Sequence, residues 1–288
     1  MRLMLSRGPA MPSARLAPDA AAFHAAQSAF SGPGNLAPLY ADLPDDPARL
    51  ARTARDQVIH RLEGGPLRRV IPQDRLHNDA ETRYTDGILE IITERNDAPL
   101  AQRREAGDRF VGVCRDFALL HCSFLRHAGI PARLRSGFAD HLGSDGFHAG
   151  HVVTRYWDTE RGWLFADPQL ANPAVTDARK ADFDPMDVPR GRFLAAGNAG
   201  QAIRTGEADP KTFGLHSPEE GPMGAGAGGN TLMTDAVREL YDRASLVVCD
   251  GVPLDAAQKP SAENEGLRTP RTVLSPAPSN GSSEVTLR

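Results

Sequence analysis

A helical stripe that opens at Cys114 and is stopped by Gly129 and Pro131 divides this chain, and any fold it adopts must accommodate that break. In C-R-D-F-A-L-L-H-C-S-F-L-R-H-A-G-I-P, the residues Phe117, Leu120, Phe124, Leu125 and Ala128 fall on one face at helical spacing, as in a helix lying on a core. Gly129 suits the cap that ends such a helix, and Pro131 forbids its continuation. Ahead of the break the patterns are helical. D-D-P-A-R-L opens with Asp45 or Asp46 as N-cap and Pro47 in the first turn, and Leu50, Ala54, Val58 and Leu62 then recur every four residues. Thr85 to Arg95 predicts a second helix. Behind the break the patterns are extended. Leu134 to Ala139 predicts a short strand, while H-V-V-T-R-Y-W (151–157) and W-L-F-A-D (163–167) are β-branched and aromatic runs joined by the turn-like D-T-E-R-G. Helices first and strands after point to an α+β fold with a segregated antiparallel sheet.

The chain's 288 residues suffice for one domain of ordinary size with appendages, or for two small ones. Residues 1–35, rich in Ala, Pro, Ser and Gly, are expected to be a flexible N-terminal segment with a short helix within Ala20 to Phe30. Residues 36–250 form the domain, with its core at about 45–175. G-P-M-G-A-G-A-G-G-N (221–230) is expected to be a flexible linker or loop, and 251–288, poor in large apolar residues, a disordered C-terminal tail. A net charge of −4 gives no electrostatic reason to expect nucleic acid or an anionic membrane as partner. No apolar run approaches the roughly 20 residues of a membrane helix, and the apolar start is broken by Arg7 and Pro9, so a soluble, cytoplasmic protein is expected. The three cysteines, Cys114, Cys122 and Cys249, are an odd number without a disulfide pattern, as expected of free thiols in a reducing compartment.

Cys114 could be packing, half of a metal site, or a nucleophile. Along a helix, Cys122 lies roughly 12 Å from it, so Cys114, His121 and Cys122 cannot share an ion whose ligands stand about 2.3 Å away. Neither C-x-x-C nor H-E-x-x-H occurs, so no metal site is expected. A cysteine in the first turn instead sits at the positive end of the helix dipole, which favours thiolate. A nucleophilic cysteine also needs a base and a group to orient that base. The hairpin supplies both. His151 leads its first strand and Asp167 ends its second; both numbers are odd, so in a hairpin of even pairing sum the two share a face, opposite or diagonal. His148 has the other parity. The Phe117 and Phe124 stripe is expected to lay the helix on that same face of the sheet. Cys122 is expected in the core and Cys249 as packing or exposed on a terminal helix. Arg133 and Arg135 are expected as solvated strand charges ahead of a role in binding an acidic substrate group, and Trp157 and Trp163 mainly as packing, ahead of a role as a wall of the cleft.

This ordered pattern (a Cys opening a helix, then L-R-H-A-G-I-P-A-R, a His-led strand and W-L-F-A-D-P) resembles the transglutaminase-like superfamily over residues 45–175. The resemblance implies a papain-like core whose nucleophile opens a helix packed on an antiparallel sheet. It also implies a triad of Cys114 as nucleophile, His151 as general base and Asp167 as orienting acid. Tyr84 matches the region that supplies a substrate-side oxyanion donor, beside the backbone N–H of Cys114. Where many members carry Trp and Glu after the His, this chain has Val153 and Arg155. The activity implied by the resemblance is amide or acyl chemistry through a thioester on a peptide or small amide, more hydrolytic than transamidating, with no cofactor. No D-x-D-x-D-G calcium loop is present. The alternative is a transglutaminase-like scaffold without catalysis. Specificity is expected in the loops 138–150 and 171–230, the second as a cover over the cleft; neither substrate identity nor oligomeric state is legible in the residues.

Overall fold

The computed structural model describes residues 15–63, 71–72, 74–143, 146–178, 181–217, 221–224, 272–277 and 281–286. The elements run α1 (Pro18–Ala25), α2 (Pro47–Gln57), β1 (Val58–His60), α3 (Arg75–Asn78), α4 (Thr85–Arg95), β2 (Phe110–Gly112) and α5 (Cys114–His127). They continue as β3 (Ala132–Ala139), β4 (His148–Asp158), β5 (Gly162–Ala166), α6 (Pro173–Ala178), β6 (Phe193–Ala195), α7 (Ala196–Thr205), β7 (Phe213–Ser217), β8 (Gly221–Gly224), β9 (Thr272–Ala277) and β10 (Gly281–Thr286). The architecture is the expected α+β arrangement, with α5 packed on a sheet in the order β6-β3-β4-β7-β8 and β5 also paired to β4. Every pairing in that sheet is antiparallel except β4 with β7.

Local chemistry explains the helix ends. The side chain of Asp46 accepts the N–H of Arg49 at 2.8 Å and starts α2 behind Pro47. At the far end of α5, Gly129 adopts φ 75°, the N–H of Ile130 bonds the carbonyl of Leu125 at 2.8 Å, and the N–H of Gly129 bonds that of Arg126 at 3.1 Å. This is the paired cap that lets a left-handed residue close a helix. The helix expected to run on to Leu62 instead stops at Gln57. Val58 and Ile59 are β-branched and enter a parallel pairing with Phe110 and Val111, the Gln57 amide is held by the carbonyls of Leu100 and Gln102, and Leu62 is left 44% exposed.

The sheet has two covered faces. Thr154, Tyr156, Leu164 and Ala166 face α5: Tyr156, Leu164 and Ala166 join its Phe117, Leu120 and Phe124, with Leu50 and Ile88, in the main core, and Thr154 Oγ1 donates to the carbonyl of Ala118 at 3.1 Å. Val153 and Phe165 face the other way, into a second cluster with Val188, Phe193 and Ala195. α5 therefore takes the even-numbered face, a correction to the expectation that it shares the face of His151. Parity assigns His151 and Asp167 to one face, but the Phe117 stripe says only that the helix packs on the sheet.

Residues 15–35 make hydrogen bonds to the domain. The carbonyl of Phe30 accepts the N–H of Thr85 at 2.9 Å, that of Ser31 accepts the hydroxyl of Ser123 at 2.6 Å, and Gln27 donates to the carbonyl of Ser123. The described part of 171–230 carries α6, β6, α7, β7 and β8, so this stretch is largely built into the fold; the rest of the 221–230 linker lies outside the described residues. Of the 251–288 tail, β9 and β10 pair as a two-stranded antiparallel ribbon. Among the described residues no helix is long and apolar enough to cross a membrane.

Candidate active site

Cys114 is the first residue of α5, directly behind β2, and is half-buried. Two contacts fasten this helix start. The carboxylate of Asp116 accepts the N–H of Val113 at 2.8 Å, and Arg115 pairs with Asp116 while its Nη2 donates to the carbonyls of Ala80 and Thr82 at 2.9 and 3.2 Å. Burial raises the carboxyl of Asp116 above its ordinary range, against the pull of Arg115 and the Val113 N–H. The N–H of Cys114 is among those that helix geometry leaves without an internal partner, so it is available to an oxyanion.

His151 pairs with Gly137 of β3 on one side. On the other, β5 last pairs at Thr154–Ala166 and β7 first pairs at Ala149–Gly214, so His151 lies level with a gap between those two strands. The residue just past β5 is Asp167, across from Val153 if the register is continued and so diagonal to His151. The Asp167 N–H bonds the carbonyl of Pro185 at 2.7 Å, which turns the chain at that point. Nε2 of His151 lies 2.8 Å from Oδ2 of Asp167, and both side chains are 1% exposed. Burial works against both charges. Even so, His151 is raised to about 10, chiefly by the Asp167 carboxylate and then by Cys114, and Asp167 is held well below the usual carboxylate range by His151 and His141. An ionised carboxylate only accepts, so Nε2 of His151 carries the donated proton. Nδ1 is the nitrogen left for Cys114, which also helps to raise His151. The helix start on one face of the sheet thus meets a histidine of the other where β5 has ended.

Other expected residues fall elsewhere. The ring of Tyr84, just before α4, stacks on Phe30 at 5.1 Å, and among the described residues no hydrogen bond or ring contact joins it to Cys114. Arg115 ties the segment leading to Tyr84 to the start of α5. His148 stacks on Phe213 at 4.7 Å. Cys122 is fully buried and its thiol is pushed up to about 11 by burial. His121 is buried, lowered to about 3 by burial, and hydrogen-bonded to the carbonyl of Pro47. Cys249 lies outside the described residues. Trp157 pairs directly with Trp163, and Arg133 lies over the Trp163 ring at 4.6 Å, so Arg133 packs against an aromatic rather than standing as a bare strand charge. The two positions that depart from the family pattern also pack: Val153 is fully buried, and Arg155 lies over Phe165 at 5.3 Å.

The sequence reading missed His141. It sits in the short 3-10 turn Asp140–Leu142 with Nε2 3.4 Å from the same oxygen of Asp167. By residue type His141, His151 and Asp167 could suit a cation, their ligand atoms lying within 4.8 Å of one another. Here the two Nε2 atoms instead close on the carboxylate by hydrogen bonds.

Residues 81–168 match the family model of the transglutaminase-like superfamily, a span that contains Cys114, His151 and Asp167. No curated protein matches the chain significantly. Among solved structures, the chain is similar to a candidate cysteine protease from Cytophaga hutchinsonii at 17% identity and a TM-score of 0.38, over 62% of this chain and 46% of that one. It is similar also to the periplasmic domain of TgpA from Pseudomonas aeruginosa at 21% identity and a TM-score of 0.35, over 58% of this chain and 51% of that one. The chain spans about half the length of each.

Proposed function

We propose, from the premise that this chain carries a transglutaminase-like domain, that it is a cysteine-dependent enzyme opening amide or related acyl bonds through Cys114, His151 and Asp167. The observation that carries this reading is the buried His151–Asp167 pair at 2.8 Å, with Cys114 near enough to raise His151 further. In the reaction, the thiolate of Cys114 forms a bond to the carbonyl carbon of a peptide or small amide while the carbonyl π pair moves to oxygen. The N–H of Cys114, with Tyr84 as a second candidate donor, stabilises that oxyanion. Collapse expels the amine, which takes the proton from Nδ1 of His151, and leaves a thioester. Asp167 keeps the other ring nitrogen protonated throughout. Water, activated by Nδ1, then attacks the thioester and releases acid and thiol. The resemblance to peptidases and amidases of this superfamily favours water as that acceptor, and an amine in its place would make the enzyme an acyltransferase.

The test begins with iodoacetamide labelling of the full chain at neutral pH, mapped by mass spectrometry. Cys114 should label well ahead of a free thiol such as glutathione in the wild type and fall back to that rate in His151→Gln. Casein and a fluorescent primary amine then report the acceptor: cleavage without amine incorporation supports hydrolysis, and incorporation overturns it. A Cys114 no more reactive than an ordinary thiol in both proteins would leave the domain a scaffold.

A further inference from the structure

The catalytic scheme above uses one histidine on Asp167, and the site holds two. Nε2 of His151 and Nε2 of His141 converge on the single oxygen Oδ2, at 2.8 and 3.4 Å, while Oδ1 accepts the backbone N–H of Gln169 at 3.1 Å. The side chain of His141 is 1% exposed, so its presence there is not a surface accident. Its turn is bracketed in place. The carboxylate of Asp140 is gripped by Nε of Arg192 at 2.8 Å to both oxygens, the Asp140 N–H bonds the carbonyl of Arg192, and the His141 ring meets the edge of Phe183 at 5.0 Å. Arg192 in turn pairs with Asp182.

The geometry points to His141 as a positioning residue that donates its Nε2–H to Asp167 beside His151 and so fixes the carboxylate and the working tautomer of His151. This rests on the triad reading. A carboxylate oxygen with two donors is less basic than one with a single donor, so Asp167 leaves the Nε2 proton on His151. It is also held against rotation, which keeps the imidazole plane set for Cys114. The tautomer that donates from Nε2 leaves Nδ1 of His141 as an acceptor. That atom has no hydrogen-bond partner and lies 3.7 Å from Oδ1 of Asp140, a carboxylate already neutralised by Arg192. The charged and titratable groups facing the pair of rings are thus Asp140, Asp167, Arg192, Cys114 and, beyond Arg192, Asp182.

The test compares wild type, His141→Leu and His141→Gln as full chains, following the rate of Cys114 carboxamidomethylation from pH 5 to 10 together with thermal melting. Glutamine keeps an N–H donor near the place of Nε2, and leucine fills the space without one. Leucine should slow labelling at neutral pH by about tenfold, the factor that a hydrogen bond to a charged group commands, and displace the pH profile. Glutamine should restore both rate and profile. If both variants react with the wild-type profile, or both slow equally with the profile unmoved, His141 is packing and the proposal falls. If wild-type Cys114 has no enhanced reactivity, the triad reading fails on its own. The hydrogen-bond role is then read from the low-field imidazole N–H resonances of chain labelled with 15N-histidine. Loss of the His151 signal in the leucine variant and its return with glutamine uphold the role, and a signal unchanged in both overturns it.

Discussion

A Cβ placed on Gly112 would lie 2.7 Å from Oδ2 of Asp116, the oxygen that caps the first turn of α5, and 3.1 Å from the ring of Phe110. The backbone of β2 therefore runs too close to the helix start for any side chain, and the approach sets where Cys114 stands. Gly112→Ala should push the Asp116 carboxylate off the Val113 N–H and cost about 1–3 kcal/mol of stability, the usual cost of overpacking. Urea unfolding measures that loss. Labelling of Cys114 should slow in the same variant, because the thiol moves with the cap.

Ser123 carries a buried hydroxyl with two partners in fixed roles. It donates to the carbonyl of Ser31 at 2.6 Å, so the hydroxyl of Tyr40, 2.7 Å away, must donate to it. Burial holds the Tyr40 phenol above its ordinary range, so it stays a donor. Ser123→Ala takes the partner from the Tyr40 hydroxyl and the Ser123 donor from the Ser31 carbonyl, which should cost about 1–3 kcal/mol. Limited proteolysis should then cut within residues 15–31 while the rest of the domain survives, since this hydroxyl fastens the N-terminal segment to α5.

Tyr84 separates two readouts. If its hydroxyl helps hold the oxyanion, Tyr84→Phe should lower turnover of an amide substrate by roughly 10²–10³, the worth of one oxyanion donor. Alkylation of Cys114 forms no oxyanion and should proceed at the wild-type rate. Phenylalanine preserves the stack on Phe30, so the fold should melt as before. Equal turnover in the two proteins would remove Tyr84 from the site.

Legibility in the chain depends on which signals are local. The end of α5 could be read because Gly129 and Pro131 act on their own backbone. The hairpin could be read because strand parity is strict: with Thr154 opposite Ala166, Asp167 must stand diagonal to His151. The end of α2 could not, since Val58 and Ile59 satisfy a helical stripe as well as a strand, and only β2, some fifty residues on, decides between them. The choice of sheet face by α5 was equally hidden, because an apolar stripe specifies burial and not its partner. His141 lies in a three-residue turn without periodicity, and only the bracket of Asp140 on Arg192 brings it to Asp167.

The Asp167–His151 pair should leave its mark on stability as a function of pH. Against the effect of burial, the carboxylate raises His151 from 6.5 to about 10, so its contribution is fully present below pH 6.5 and is lost as the pH climbs toward 10. Asp167 is shifted the other way from 3.8, so its contribution is present above that pH and is lost as the pH falls below it. The pair therefore supports the fold most between about pH 4 and 6.5. In Asp167→Asn, His151 is left buried without the carboxylate that chiefly holds its charge and must shed its proton to fold, a demand that is severe at pH 5 and slight at pH 9. The stability gap between wild type and variant should approach about 3–5 kcal/mol in the acidic window, as for other broken buried ion pairs, and shrink steadily toward pH 10. Denaturant melts at pH 5, 7 and 9 measure it; a gap that stayed constant or widened with pH would mean that the native pair is not ionised.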